Sequence, residues 1–270
     1  MSDRNSEFQG SIPEIYDRHL APVIMDGYAL DLASRVHVAT GARVLELAAG
    51  TGVSTRRLRD ALPASATLIA TDLNDPMLDV ARKKFAPGES VEFQPADATS
   101  LPFGDAEFDA VTCQFGVMFF PDKSSAFAEV ARVLKPGGTF AFNVWDALER
   151  NSLTGATSKI ILGFLPEGTP NFYDTPFGFY DQDVIRSLLE DAGFTEIAID
   201  VQQREAVAES AAHAAYGFVK GNPVILEIRN HPEIDEDAVV DAVAATLREV
   251  GGDNPMRINT QAIIITARRK

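Results

Sequence analysis

Two glycines and one carboxylate are the residues of this sequence best placed to do chemistry. Gly50 and Gly52 follow the apolar run Val44 to Ala49, and Asp72 closes a second apolar run, Leu68-Ile69-Ala70-Thr71-Asp72. Glycines at such a turn lack a Cβ and let the backbone approach a ligand, while a helix starting near Val53 points free N–H groups at whatever lies above the turn. A carboxylate about twenty residues further on, at the end of the next strand, stands where a ribose would be held. An ordinary strand-to-helix turn accounts for the glycines but gives no reason for the acid. The chemistry implied is non-covalent capture of a nucleotide-like molecule.

The elements that must position these groups follow from hydrophobic period and punctuation. Val44 to Ala49 reads as a buried parallel strand, Val53 to Leu62 as a helix closed by Pro63, and Thr67 to Thr71 as strand two. Asn74 is expected to cap the next helix, with Pro76 in its first turn and Met77, Leu78, Ala81 and Phe85 inward. Val91-Glu92-Phe93 is a short strand, Phe108 to Cys113 a fourth, Lys123 to Leu134 a helix stopped by Lys135-Pro136-Gly137-Gly138, and Thr139 to Trp145 a fifth strand. Before them, Glu14 to Leu20 and Met25 to Val36 carry helical spacing. After them, Glu149 to Tyr180 is rich in aromatic residues, Phe172, Tyr173, Phe177, Phe179 and Tyr180 among them, and shows no clean period. Asp181 caps a helix with Val184, Ile185, Leu188 and Leu189 inward, Phe194 to Val201 reads as a strand, Ala206 to Asp253 as helices broken at Gly221-Asn222-Pro223 and His231-Pro232, and Ala262 to Thr266 as a last strand. Strands alternating with helices imply an α/β fold, a parallel sheet covered on both faces. The expected organisation is an N-terminal helical cap over 1–40 and a Rossmann-like domain over 41–270, with cap insertions at 149–180 and 203–255.

Composition narrows the function. With 270 residues, 46% of them hydrophobic, the chain can bury a sizeable core. A formal charge of −15 argues against nucleic acid as a partner. The basic runs Arg82-Lys83-Lys84 and Arg268-Arg269-Lys270 read as solvated charge. Cys113 is the single cysteine, which excludes an internal disulfide; no zinc-ligand cluster accompanies it, so no metal is expected. With no signal-like apolar run over Met1 to Gly10 and no membrane-length apolar segment, the expected location is the cytoplasm, away from membranes.

Val44 to Gly52, Asp72, Asp97-Ala98 and the Leu134-Lys135-Pro136-Gly137-Gly138 turn together resemble the class I S-adenosylmethionine-dependent methyltransferases, nearest to the small-molecule, quinone-biosynthesis-like branch. The resemblance is good over 41–145, looser over Phe179 to Phe194 and weak elsewhere. It implies a mostly parallel sheet with an antiparallel last strand and S-adenosylmethionine as cofactor. It also implies that Ala48, Gly50 and Gly52 approach the methionine portion, that Glu46 helps hold its ammonium group, and that Asp72 accepts both ribose hydroxyls. Leu73 and Met77 would pack on the adenine, Asp97 and the Ala98 N–H would meet its polar edge, Gln114 and Phe115 would line the sulfonium side, and Tyr16 would fold over the cofactor.

Methyl transfer from a sulfonium is an in-line displacement, so alignment in a dry pocket is the main task and a base is needed only if the nucleophile must lose a proton. His19, one helical turn after Tyr16, and His213 are the candidate bases; His37 and His231 lean structural. The acceptor expected is a small flat or apolar molecule, chosen by the N-terminal helices, the aromatic insertion and the segment between the last two strands. Three other readings stay open. A nicotinamide-dependent oxidoreductase shares the strand, glycine and acid logic, but its third glycine would fall at Thr55 and it leaves Asp97 unexplained. Nucleic-acid methylation fits poorly with the acidic balance and with Gln114-Phe115-Gly116-Val117. A non-catalytic cofactor-binding regulator satisfies the same residues. The atom methylated and pairing into a homodimer are left undecided.

Overall fold

The computed structural model describes residues 7–270. Seven strands form one sheet in the order β3-β2-β1-β4-β5-β7-β6. β1 (Arg43–Leu47), β2 (Thr67–Asp72), β3 (Val91–Pro95), β4 (Phe108–Gln114) and β5 (Leu134–Trp145) are parallel, and β7 (Met256–Arg269) inserts antiparallel between β5 and β6 (Phe194–Ala208). The chain builds outward from β1 in one direction through β2 and β3, then returns to lay β4 and β5 on the other side. A crevice opens at the carboxyl ends of β1 and β4, where that order reverses, the place where open α/β sheets bind ligands. The expected Rossmann-like sheet is therefore present.

The helices around it are α1 (Ile12–Ile15), a π-helical turn (Tyr16–Leu20), α2 (Ala21–Ile24), α3 (Asp26–Ser34), α4 (Val53–Ala61), α5 (Asp75–Arg82), α6 (Lys123–Val133), α7 (Ser152–Phe164), α8 (Gln182–Asp191), α9 (Ala211–Lys220), α10 (Val224–Arg229) and α11 (Glu236–Gly251). Central strands are apolar on both faces because helices cover both. Phe140 and Phe142 of β5 stack 4.7 Å apart, Phe127 of α6 meets both rings, and all three are fully buried. Each such side chain contributes about 1.5–3 kcal/mol of burial.

Several elements differ from the expectation, each for a physical reason. α7 lies inside the stretch without a clean period, because three of its five buried residues are Thr154, Thr157 and Ser158, with only Leu153 and Ile161 apolar. β5 starts at Leu134, which pairs with Phe108; the register then shifts, and Lys135 to Gly138 bulge out before Thr139 pairs with Ala110. β6 runs to Ala208 rather than Val201, and β7 starts at Met256 rather than Ala262, since the two long strands pair beyond the body of the sheet. Asn74 makes no side-chain cap for α5; its amide turns back toward Asp72. Phe85 falls past the end of α5 and stacks on Phe93, and Val184, on the outer side of α8, is exposed. Asp181 caps α8 as expected, its Oδ1 accepting from the N–H groups of Asp183 and Val184.

The N-terminal helices form a strap over the crevice, seated on α9 by two glycines. A Cβ at Gly217 would lie 2.8 Å from the carbonyl carbon of His19, and one at Gly221 would lie 3.1 Å from the Cα of Tyr16. The π turn, with its wider loop of backbone, is what presents Tyr16 and Leu20 to the space beneath. Gly217→Ala is expected to destabilise the protein by about 2 kcal/mol through backbone collision, lowering Tm by about 4–8 °C. An unchanged melting curve would mean that the strap slides freely on α9.

Candidate active site

A cavity of about 380 Å³ lies above the carboxyl ends of β1, β2 and β4, under the strap. Its first half is built by the turns that follow these strands. Asp72 is buried at the end of β2; its Oδ2 accepts from the Gly50 N–H and its Oδ1 from the Asn74 N–H, both at 2.8 Å. Burial pushes its pKa up, and the N–H groups of Asn74 and Gly50 oppose that. The acid and the glycine turn, separated in sequence, are thus one hydrogen-bonded unit. Leu73, 62% exposed, and Met77 flank it at the mouth, and a Cβ on Gly50 would touch the Met77 methyl at 3.5 Å. Asp97 and Ala98 line the same side; Asp97 Oδ1 is taken by the Thr99 N–H and hydroxyl, which leaves Oδ2 out of those bonds.

Two residues here hold left-handed backbone without being glycine, Ala48 (φ 50) and Phe115 (φ 49), at the ends of β1 and β4. Such conformations cost about 1–3 kcal/mol each and persist where the surroundings enforce them, commonly at functional sites. Gly116 is what leaves room for Ala48: a Cβ there would lie 2.4 Å from the Ala48 Cβ and 2.6 Å from Cys113 Sγ. Phe115 is further held by its N–H, which donates to Asn143 Oδ1 at 2.9 Å. Gln114 lines the cavity with its amide nitrogen on the Met25 carbonyl and its buried Oε1 unpartnered. Tyr16 reaches in from the strap; burial first, then Asp17 and Asp72, raises the pKa of its phenol.

Two of the sequence-predicted cofactor residues stand off the cavity wall. Gly52 (φ 82) is buried against α5, where a Cβ would lie 2.8 Å from the Ala81 Cβ, so close helix packing is its evident requirement. Glu46 lies beneath the glycine turn, fully buried, with neither carboxylate oxygen hydrogen-bonded. Burial raises its pKa to about 7; the Ser54 and Thr55 hydroxyls face it and pull the other way, without closing a full hydrogen bond. An unpaired buried carboxylate under the turn fits a cation entering from above.

His19 and His213 do not line the cavity. Their rings pack at a tilt with centroids 4.4 Å apart, His19 also meeting Tyr216 at 5.0 Å, in the contact between strap and α9. Burial, then His213 and Arg18, lowers the pKa of His19 against the pull of Glu209. Changing both to alanine is expected to keep kcat within about threefold, since a lost general base costs about 10²-fold or more. A hundredfold loss with an unchanged melting curve would return them to the chemistry.

The second half of the cavity comes from residues outside the glycine and acid motifs. Phe115 and Trp145 stack at 3.9 Å and 10°, Trp145 and Phe177 at 5.8 Å and 18°, and Tyr28 meets the first two rings edge-on. Phe172, Tyr173 and Phe177 of the aromatic insertion do reach the cavity; Phe179 instead lies under the Lys123 ammonium, and Tyr180 is exposed. Thr154, Asn222 and Thr260 also line it and carried no recognisable signal in sequence, Asn222 having been legible only as part of a helix break. Among the described residues no group of three or more His, Cys, Asp or Glu is arranged to hold a metal, and no helix is long and apolar enough to cross a membrane.

Residues 45–142 match the family model described as a methyltransferase domain. A ubiquinone/menaquinone biosynthesis C-methyltransferase of Pseudomonas syringae pv. tomato is 31% identical over 183 residues, covering 63% of this chain and 70% of that one. The chain belongs to the class I S-adenosylmethionine-dependent methyltransferases. A demethylmenaquinone methyltransferase of Clavibacter sepedonicus is 48% identical over 98 residues, but that match spans only 36% of this methyltransferase and 39% of the relative. A Haemonchus contortus phosphoethanolamine N-methyltransferase solved with S-adenosyl-L-methionine superposes with a TM-score of 0.61 at 15% identity, over 100% of this chain and 60% of that one, which speaks to the fold alone. The cofactor of the methyltransferase is S-adenosylmethionine, and the residues present suit it: a carboxylate tied to a glycine turn, apolar flanks at the mouth and an unpaired buried carboxylate beneath. Nothing supports the oxidoreductase reading, and Thr55, where a third glycine would fall, is buried in α4.

Proposed function

We propose that the protein methylates a small, flat, largely apolar acceptor that lies against the Phe115, Trp145 and Phe177 rings. The observation that carries this reading is the continuity of one cavity from Asp72 and Gly50 to that aromatic row. The quinone-biosynthesis names of the relatives point to acceptors of the same shape. In this reading Asp72 holds the ribose, Leu73 and Met77 hold the adenine faces, and Asp97 and the Ala98 N–H hold its polar edge. Gly50 and Ala48 line the methionine path, Glu46 attracts its ammonium, Gln114 and Phe115 border the sulfonium, and Tyr16 closes the strap over it. Gly52 contributes by packing α4 against α5.

The bound cofactor supplies an electrophilic methyl on a sulfonium that leaves neutral; the residues of the chain orient the acceptor, exclude water and hold the two in line. The titratable groups on the wall are Asp72, Asp97, Tyr16 and Tyr173, with no imidazole, lysine or arginine among the described lining residues. The acceptor must then bring its own nucleophile, an easily ionised ring or a neutral amine. The acidic surface favours neither nucleic acid nor anionic membranes as partner, a cytoplasmic setting agrees with it, and of the cap expected over 1–40 the described residues 7–40 act with the insertions at 149–180 and 203–255, residues 1–6 lying outside the described residues. Incubation with labelled S-adenosylmethionine and a panel of phenols, hydroquinones and amines tests the reading. Label transferred to a small acceptor is the expected result, and label found only on protein or RNA would end it.

A further inference from the structure

Besides Asn151, Thr154 and Thr260, the polar side chains of the acceptor half include Tyr173 and Asn222, where the turn around Tyr173 meets the end of α9. The Phe218 carbonyl there is shared by Asn222, whose Nδ2 donates to it at 3.2 Å, and by Tyr173, whose hydroxyl reaches it only at 3.5 Å. A contact that long is at the limit of hydrogen bonding, and the Asn222 amide is the other group that the Tyr173 hydroxyl meets, on a residue only 3% exposed. Burial also keeps the phenol neutral, with the Asn222 amide opposing that weakly. Both side chains border the cavity. The acidic side chains on its wall, Asp72 and Asp97, belong to the other half, and no lysine, arginine or histidine is among the described lining residues. A neutral donor and a neutral amide suit a neutral oxygen, while a carboxylate entering the same space would lose its water with no cationic side chain to pair with it.

Resting on the acceptor reading above, we propose that Tyr173 and Asn222 are the specificity-determining pair of the acceptor pocket, selecting ring compounds that carry a neutral hydroxyl or carbonyl oxygen and rejecting carboxylates. Neither residue lies within the segment matched by the methyltransferase family model, which ends at residue 142. Asn222 also caps α9 through the Phe218 carbonyl. A merely structural role predicts that its loss weakens all ligands alike, whereas a recognition role predicts loss of discrimination between them.

The test is equilibrium dialysis of 1-naphthol, naphthalene and 1-naphthoate against the full chain with S-adenosylhomocysteine present. The wild type is expected to bind 1-naphthol about tenfold more tightly than naphthalene and at least tenfold more tightly than 1-naphthoate. Tyr173→Phe, which removes one oxygen and leaves the ring, and Asn222→Ala should each bring the naphthol-to-naphthalene ratio to within about threefold of unity. A wild-type ratio near one, a ratio unchanged in Tyr173→Phe, naphthoate binding equal to naphthol, or no binding of either neutral probe would each overturn the proposal. Should Asn222→Ala fail to fold, Tyr173→Phe decides alone. Calorimetry with S-adenosylhomocysteine on the same samples separates the two ideas: loss of that binding in the wild type sinks the methyltransferase reading, whereas the naphthol ratio addresses only the polar end of the pocket.

Discussion

Asp72→Ala is expected to weaken S-adenosylhomocysteine binding by about 10²–10⁴-fold in calorimetry. Two hydrogen bonds from ribose hydroxyls to a carboxylate contribute roughly 1.5–3 kcal/mol each, and every 1.4 kcal/mol is a factor of about ten. A second loss adds to this, because the same carboxylate holds the Gly50 and Asn74 N–H groups at 2.8 Å and so keeps the glycine turn in its binding shape. Asp72→Asn is the milder change: its one acceptor oxygen keeps one of the two backbone N–H bonds, so it should fall between wild type and alanine in both affinity and melting temperature. Affinity unchanged in Asp72→Ala would remove the cofactor from this half of the cavity.

Glu46→Gln should move stability and cofactor affinity in opposite directions. The folded-state pKa of Glu46, about 7, stands above the ordinary 4.5, so the native protein binds that proton more tightly than the unfolded chain does. Below about pH 4.5 both states are protonated and the group is neutral to stability. As pH rises toward 7 the native state loses ground, and above it the fold carries an unpaired buried anion costing about 3 kcal/mol. Glutamine removes that cost, so the variant should melt about 5–10 °C higher than wild type at pH 8 and show no gain at pH 4. If Glu46 attracts the methionine ammonium as proposed, the variant also loses that negative charge, and affinity for S-adenosylhomocysteine should fall at least about tenfold. In the wild type the affinity should decline as pH drops below 7, whereas in the variant it should be flat. A variant no more stable at pH 8 than wild type would mean that Glu46 already has an unseen partner.

How much of this was legible beforehand depended on whether a signal was local. The turn at Gly50 and the acid at Asp72 were readable because backbone clearance and strand-end spacing are fixed by covalent geometry, and the structure joins them by a single N–H bond. Gly52 carries the same letter for another purpose, contact with Ala81 of α5, and only three-dimensional packing distinguishes the two uses. α7 was hidden because a helix whose buried face carries Thr154, Thr157 and Ser158 lacks the apolar stripe by which helices announce themselves. The left-handed backbone of Ala48 and Phe115 had no sequence signature, since Ala48 depends on the room left by Gly116 across the sheet and Phe115 on the Asn143 side chain of β5. Asn222 looked like punctuation beside Pro223, and its position on the cavity wall follows from how α9 docks under the strap.

The stack of Phe115 and Trp145 has a practical corollary. Trp145 is the sole indole in 270 residues, 5% exposed and part of the cavity wall proposed to meet the acceptor. Indole emission of the unlabelled protein therefore originates at that wall, and a molecule sliding over that ring should dim or shift the glow while ligands confined to the nucleoside end leave its colour nearly untouched.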